Sequence, residues 1–302
     1  MQNRASIQLE RPMQGSWLRS LVNQFIYFYY GNSSGLRNNF GAHSELRNLR
    51  KAFTKIDSMS FSEHGSLQAN LLKENGYVVI NDLIEPTKIS AAVDCCKKIF
   101  QTPKMHVAEK HGAMFHAINP TEVMEFQNLF SSKLRGILEN YYKCAYRINT
   151  VRVWRNIHVE SADQERDDIF SNTFHHDACK ATSLRVFILL KDNVNRDTGS
   201  LRFHDKLNSM NLLRTNYFSR YSQNNKIIEK LIDPSSLKYF EGDAGDCAIV
   251  NTQECLHAAS IPGLCSYRDI LQFEVYADSG PVKSDEELFD IPEDQEILSL
   301  LK

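Results

Sequence analysis

The feature that most limits the fold is the texture of residues 147–277. Short runs of β-formers alternate there with polar, glycine-bearing turns. Residues 150–155 (TVRVWR) alternate as a half-buried strand, and residues 184–190 (LRVFILL) read as a fully buried one. Residues 200–203, 247–250 and 268–276 complete the set, with turns at 192–199 and 242–246 (GDAGD). The expected class is mainly β with flanking helices, a sandwich or jelly roll with helices packed on one side.

The chain ahead of this region is more helical. Gly76 reads as the cap of a helix ending near Asn75, followed by a short strand at 77–80. Residues 86–100 read as a helix with Pro86 in its first turn and Ile89, Val93, Cys96 and Phe100 on one stripe. Residues 121–142 read as one further helical stretch with Phe126, Leu129, Phe130, Leu134 and Leu138 on its apolar face.

The domain boundaries expected from these patterns are four. Residues 1–68 form an N-terminal helical extension packed on the core, with Trp17, Leu21, Phe25 and Phe28 spaced as a helix. Residues 69–282 form the main domain. Residues 207–237 form a polar, partly helical insertion within it. Residues 283–302 form an acidic, solvated C-terminal segment carrying Asp285, Glu286, Glu287, Asp290, Glu293, Asp294 and Glu296.

Composition excludes some classes of function. The 302 residues carry a formal net charge of −2, so no global basic field draws the chain to nucleic acid or an anionic membrane. The one early apolar run, residues 25–30, is too short to span a bilayer. Cys95, Cys96, Cys144, Cys179, Cys247, Cys255 and Cys265 are scattered, odd in number and lack a CxxC pair, unlike a zinc ribbon or a disulfide framework. An intracellular, cytoplasmic location is the expectation. The arginines of the first fifty residues (Arg4, Arg11, Arg19, Arg37, Arg47, Arg50) leave an organellar transit peptide open.

The chemistry is carried by His175-His176-Asp177. Side chains alternate along a strand, so His175 and Asp177 point one way and His176 the other. An imidazole and a carboxylate side by side are two members of the 2-His-1-carboxylate triad that holds iron(II) with positions left open. Past residue 177 the third ligand must come from His204 or His257. His257 lies between two strands and can approach the first pair, whereas His204 follows a short strand into a charged turn and reads as exposed. His257 is therefore preferred. Eleven positions later comes Arg268, opening the last strand. A planar guanidinium suits the distal carboxylate of a 2-oxo acid whose other end chelates the metal. Such a carboxylate would be costly to bury unpaired.

Together, His175-x-Asp177, His257 and Arg268 resemble the phytanoyl-CoA dioxygenase family of iron(II)/2-oxoglutarate oxygenases. Residues 74–80 (ENGYVVI), 197–203 (DTGSLRF) and 242–246 (GDAGD) resemble further stretches of that family, and the likeness spans residues 70–280. The resemblance implies a double-stranded β-helix (cupin-like jelly-roll) core, with iron(II), 2-oxoglutarate and O2 as metal, cosubstrate and oxidant. His204-Asp205-Lys206-Leu207-Asn208 stands where the family often has a Pro-Gly-Ser-His turn, and Thr173 stands where many relatives have glutamine. Thr173 and Asn156 are read as further 2-oxoglutarate contacts.

The reaction expected from the resemblance is oxidation of an unactivated C–H of a small organic substrate, by hydroxylation, desaturation or ring closure, with release of succinate and CO2. Asp177 argues against halogenation, which needs a small residue there. Arg152, Arg155, Arg185, His158 and Lys180 are candidate contacts to an acid-bearing small-molecule substrate. Two rivals stay open: a cupin-like protein using another metal without 2-oxoglutarate, and a non-catalytic jelly-roll binding protein. Oligomeric state and the identity of the substrate are not legible.

Overall fold

The computed structural model describes residues 45–51, 65–101, 107–110, 113–117, 124–158, 173–177, 182–209, 233–281 and 283–291. The expected helix at 17–30, residue Lys180 and residues 210–232 of the insertion lie outside the described residues.

Among the described residues, ten strands make two antiparallel sheets. In chain order they are β1 (Tyr77–Ile80), β2 (Val107–Lys110), β3 (Ala113–Ala117), β4 (Tyr146–Ile157), β5 (Leu184–Leu189), β6 (Leu201–His204), β7 (Leu237–Phe240), β8 (Cys247–Val250), β9 (His257–Ala259) and β10 (Tyr267–Ala277). The larger sheet runs β1-β8-β5-β10-β4-β3-β2 and the smaller β7-β6-β9. A bridge between His175 and His257 extends the smaller sheet past β9. The two sheets form the jelly-roll core that the strand pattern predicts.

The burial of β10 shows how the sheets are used. Leu271, Phe273 and Val275 join the large apolar core, while Ile270 joins a second cluster with Phe187, Leu189, Phe203, Phe240, Ala248 and Val250. Successive residues face opposite ways. The odd positions of β10 therefore meet the helices, and Arg268, Ile270, Gln272 and Glu274 face the space between the sheets.

Helices cover the outer face of the larger sheet. These are α1 (Ser66–Asn75), α2 (Pro86–Gln101), α3 (Met124–Gln127) and α4 (Ser132–Tyr142). α1 ends as expected at Gly76, whose left-handed φ of 79° lets its N–H reach the Leu72 carbonyl. A side chain at Gly76 would also collide with the Cys255 sulfur. The stretch expected as one helix over 121–142 is broken in two among its described residues. Ser131 takes an extended φ/ψ and its hydroxyl accepts from Leu134 N, capping α4 afresh. α4 is then fixed to the sheet by Leu134, Ile137 and Leu138, all buried, and by the Tyr142 hydroxyl, which donates toward the carbonyls of Thr182 (2.8 Å) and Val275 (3.0 Å). Each such buried aliphatic contributes roughly 1.5–3 kcal/mol.

Both ends of the described chain are tied to this layer. Residues 45–51 are helical. Leu46 and Leu49 pack on the core, and Arg50 donates to the carbonyls of Tyr142 and Tyr141. The acidic segment departs from the fully solvated reading. Leu288 and Phe289 are buried, and the Phe289 ring meets Phe130 and Phe273 edge-on. Two apolar side chains among the acids are enough to dock it. The region expected as insertion also contributes structure, because β7 begins at Leu237 and pairs with β6. No helix among the described residues is long and apolar enough to cross a membrane.

Candidate metal centre

Three elements bring the site together. The segment 173–177 runs beside β9, with His175 and His257 exchanging backbone hydrogen bonds of 3.0 and 3.1 Å. Asp177 N donates to the Thr252 carbonyl at 3.0 Å, which pins the second half of the segment to the turn before β9. That turn is braced by Asn251, whose Oδ1 accepts from the backbone of Gln253 and Glu254 and whose amide donates to Glu254. His257 pairs with Phe203 across β6, so both side chains face the interior between the sheets.

His175, Asp177 and His257 offer ligand atoms that all lie within 4.8 Å of one another. Asp177 Oδ1 is 3.7 Å from His175 Nε2 and 3.6 Å from His257 Nε2. Each imidazole is oriented by a carbonyl two residues upstream. His175 Nδ1 meets Thr173 O at 2.8 Å, and His257 Nδ1 meets Cys255 O at 3.2 Å. A ring that donates from Nδ1 presents the lone pair of Nε2, and both Nε2 atoms face Asp177. Burial, then the neighbouring His257, lowers the His175 pKa to about 4, so its ring is neutral and able to ligate at neutral pH. Burial works to raise the Asp177 carboxyl, but Arg185, then His257 and His175, outweigh it and hold the group well below the usual carboxylate range. Two imidazole nitrogens and one carboxylate oxygen fit a divalent first-row metal of the facial-triad kind.

The second part of the site lies on β10 and β4. Arg268 faces Asn156 across these strands and is 3% exposed. Its Nη2 donates to Asn156 Oδ1 at 2.6 Å. Its Nε and Nη1 are buried with no hydrogen-bond partner among the described residues. Burial lowers the Arg268 pKa to about 10, which still leaves the group charged. Unmet buried donors on a charged guanidinium are what a carboxylate of a bound small molecule would satisfy.

The remaining sequence candidates divide. Arg152 lies directly opposite Gln272, on the interior-facing positions of its strand with Asn156. Arg155 does not belong to the site. It faces the helices, where Nε and Nη2 each lie 2.7 Å from an oxygen of buried Asp269, and it stacks on Phe100 and Tyr267. Arg185 faces the interior but is engaged by protein carboxylates. Its Nε donates to Asp177 Oδ2 at 3.0 Å and its Nη1 lies 2.8 Å from Glu274 Oε2. A substrate role for it therefore gives way to one at the metal ligand, and this pairing is the part of the site that the sequence reading missed. His158 Nδ1 is 2.9 Å from Pro262 O. Thr173 contributes its carbonyl to His175. His204, expected to be exposed, is buried. Its Nδ1 is 3.0 Å from Ser236 Oγ and its ring packs on Phe174, on the face of the smaller sheet away from His257. Neutral burial lowers its pKa to about 4.

No family model and no curated protein sequence matches this chain. Solved structures do. The crystal structure of the epimerase SnoN in complex with Fe3+, alpha ketoglutarate and nogalamycin RO aligns with a TM-score of 0.53 at 14% identity, over 83% of this chain and 91% of that one. This chain shares its fold. EctD from S. alaskensis with 2-oxoglutarate and 5-hydroxyectoine aligns with a TM-score of 0.56 at 10% identity, over 75% of this chain and 82% of that one. The non-heme alpha ketoglutarate dependent carbocyclase SnoK from nogalamycin biosynthesis gives 0.51 at 13% identity, over 77% and 91%.

Proposed function

We propose that this chain is an iron(II)/2-oxoglutarate-dependent oxygenase acting on a small organic substrate. The observation that carries the reading is Arg268, whose buried Nε and Nη1 lack protein partners among the described residues, on the same interior as the His175–Asp177–His257 cluster. A cupin-like protein that merely held a metal would have no use for a buried, half-satisfied guanidinium, since each such donor costs about 1–3 kcal/mol. The structures that share the fold include complexes with iron and 2-oxoglutarate, which supports the same reading.

In this reading His175, Asp177 and His257 hold the metal, and Arg268 with Asn156 receives the distal carboxylate of the cosubstrate. The bound iron and 2-oxoglutarate, with O2, supply an oxidant strong enough for an unactivated C–H, leaving succinate and CO2. The protein's own part is placement. The Thr173 and Cys255 carbonyls fix the imidazole tautomers, Arg185 holds the carboxylate, and the apolar cluster of Phe187, Leu189, Phe203 and Ile270 keeps water from the interior. Arg152 is the retained candidate for an acidic substrate group. The resemblance to phytanoyl-CoA dioxygenases is the finer assignment within this class.

The test is purified protein with iron(II), 2-oxoglutarate and ascorbate in air, read for succinate. Succinate that requires both iron(II) and 2-oxoglutarate, and rises with a matching substrate, is the expected result. Metal binding with no 2-oxoglutarate consumption across a broad substrate panel would favour the cupin-like alternative.

A further inference from the structure

Among the described residues, the interior arginine Arg185 is tied directly to a candidate metal ligand. Arg185 lies on β5, where its backbone pairs with Glu274 of β10 on one side and Val250 of β8 on the other. Its side chain is 12% exposed. From this fixed base Nε reaches Asp177 Oδ2 at 3.0 Å, while the other oxygen, Oδ1, is the one that faces both imidazoles. The far end of the guanidinium approaches Glu274, 7% exposed. Glu274 is itself held: Oε2 accepts from Asn149 Nδ2 at 3.0 Å and Thr150 Oγ1 at 3.4 Å, and Oε1 from Ser183 Oγ at 3.3 Å. The chain of contacts runs from two strands of the larger sheet, through Glu274 and Arg185, to the carboxylate of the candidate centre.

We propose that Arg185 is a positioning residue that fixes Asp177 as a one-oxygen metal ligand by holding its Oδ2, with Glu274 as the anchor that keeps Arg185 in place. A carboxylate turned to chelate a metal through both oxygens would have to give up the Nε–H···Oδ2 bond, a charge-assisted one. Keeping Asp177 to one oxygen leaves a coordination position open, as a site that must bind a cosubstrate and O2 requires. The arrangement also sets charge. Asp177, Arg185 and Glu274 sum to −1 when all are ionised, which favours a divalent cation without leaving either carboxylate unpaired. This inference rests on the metal-centre reading of the triad.

The test uses cobalt(II) as an air-stable probe added to the full-length protein. Binding is titrated, and the visible d–d absorption reports coordination number. The informative variant is Arg185→Gln with Glu274→Gln, because it removes both charges together and keeps the trio at −1. It should melt cooperatively and bind cobalt(II) about 10–100-fold more weakly than wild type, as loss of an outer partner of a ligand does. Its d–d bands should be weaker, as for a higher coordination number. Arg185→Lys, which keeps the charge but not the Nε donor, should show the same spectral change with a smaller loss of affinity, and it decides the question if the double variant does not melt cooperatively. Cobalt(II) binding within twofold of wild type with an unchanged spectrum would overturn the inference while leaving the metal centre standing. Failure of the wild type to bind cobalt(II) at all would overturn the metal-centre reading and this inference with it.

Discussion

Two arginines lie on the same pair of strands, one register step apart, and the protein treats them in opposite ways. Arg155 pairs with Asp269 on the helix side of β4 and β10, and Arg268 pairs with Asn156 on the interior side. Arg155 is saturated, with two 2.7 Å contacts to a carboxylate and two aromatic rings against its guanidinium. Arg268 is more deeply buried, yet has one neutral amide for a partner and two donors unmet among the described residues. The first arrangement is complete without a ligand, so it belongs to the fold. The second is complete only when something anionic arrives, so it belongs to function.

The contrast can be broken in several ways, and the largest effects lie on the interior. Asp177→Ala should abolish turnover and weaken metal binding in a cobalt(II) titration, while leaving Arg185 paired with Glu274 and the fold intact by circular dichroism. Arg268→Met should lose about 3 kcal/mol of 2-oxoglutarate binding, roughly 100-fold, read as a raised KM for 2-oxoglutarate. The same variant should melt at a higher temperature without ligand, because it removes buried unmet donors costing about 1–3 kcal/mol. Arg155→Met should do the reverse. It strands Asp269, 2% exposed, and should cost about 3 kcal/mol in urea unfolding with 2-oxoglutarate affinity unchanged.

Acid sharpens the comparison further. The folded-state pKa values of His175 and His204 are lowered to about 4, below the unfolded value of 6.5. The unfolded chain therefore takes up protons that the folded chain refuses, and stability falls as pH drops from 6.5 toward 4. The loss in the metal-free protein should be on the order of 3 kcal/mol per histidine at most, measurable by urea unfolding across that window. A bound metal should deepen the contribution of His175 and leave that of His204 unchanged. The smallest effect is expected far from both arginines. Ser131→Ala removes the cap of α4 and should cost about 1 kcal/mol with no change at the metal centre.

Much of this was legible in the sequence because it depends on local rules. Strand alternation separated His175 and Asp177 from His176, and the place of His257 after strand 247–250, where it opens β9, brought it to them. Strands 77–80 and 247–250 needed only β-formers bounded by glycine turns. Arg155 was misread although a signal existed. Asn156 and Arg152 share a parity in β4 that Arg155 does not, so a strand that aims Asn156 at the interior must aim Arg155 at the helices. His204 was misread for a non-local reason. What buries it is Ser236 and the neighbouring strand β7, and β7 lies at the end of a stretch too polar to stand out as a strand. The Arg185–Asp177 contact was illegible because it joins an irregular segment to a strand of the other sheet, and no sequence period spans that junction.

Calorimetry is the sharpest test of whether Arg268 receives the carboxylate of 2-oxoglutarate. 2-Oxoglutarate is titrated anaerobically into manganese(II)-loaded wild type and into Arg268→Met loaded in the same way. One metal-dependent site in the wild type and about 100-fold weaker binding in the variant are expected. Equal affinity in the two proteins, or no binding to the loaded wild type, would contradict that role for Arg268.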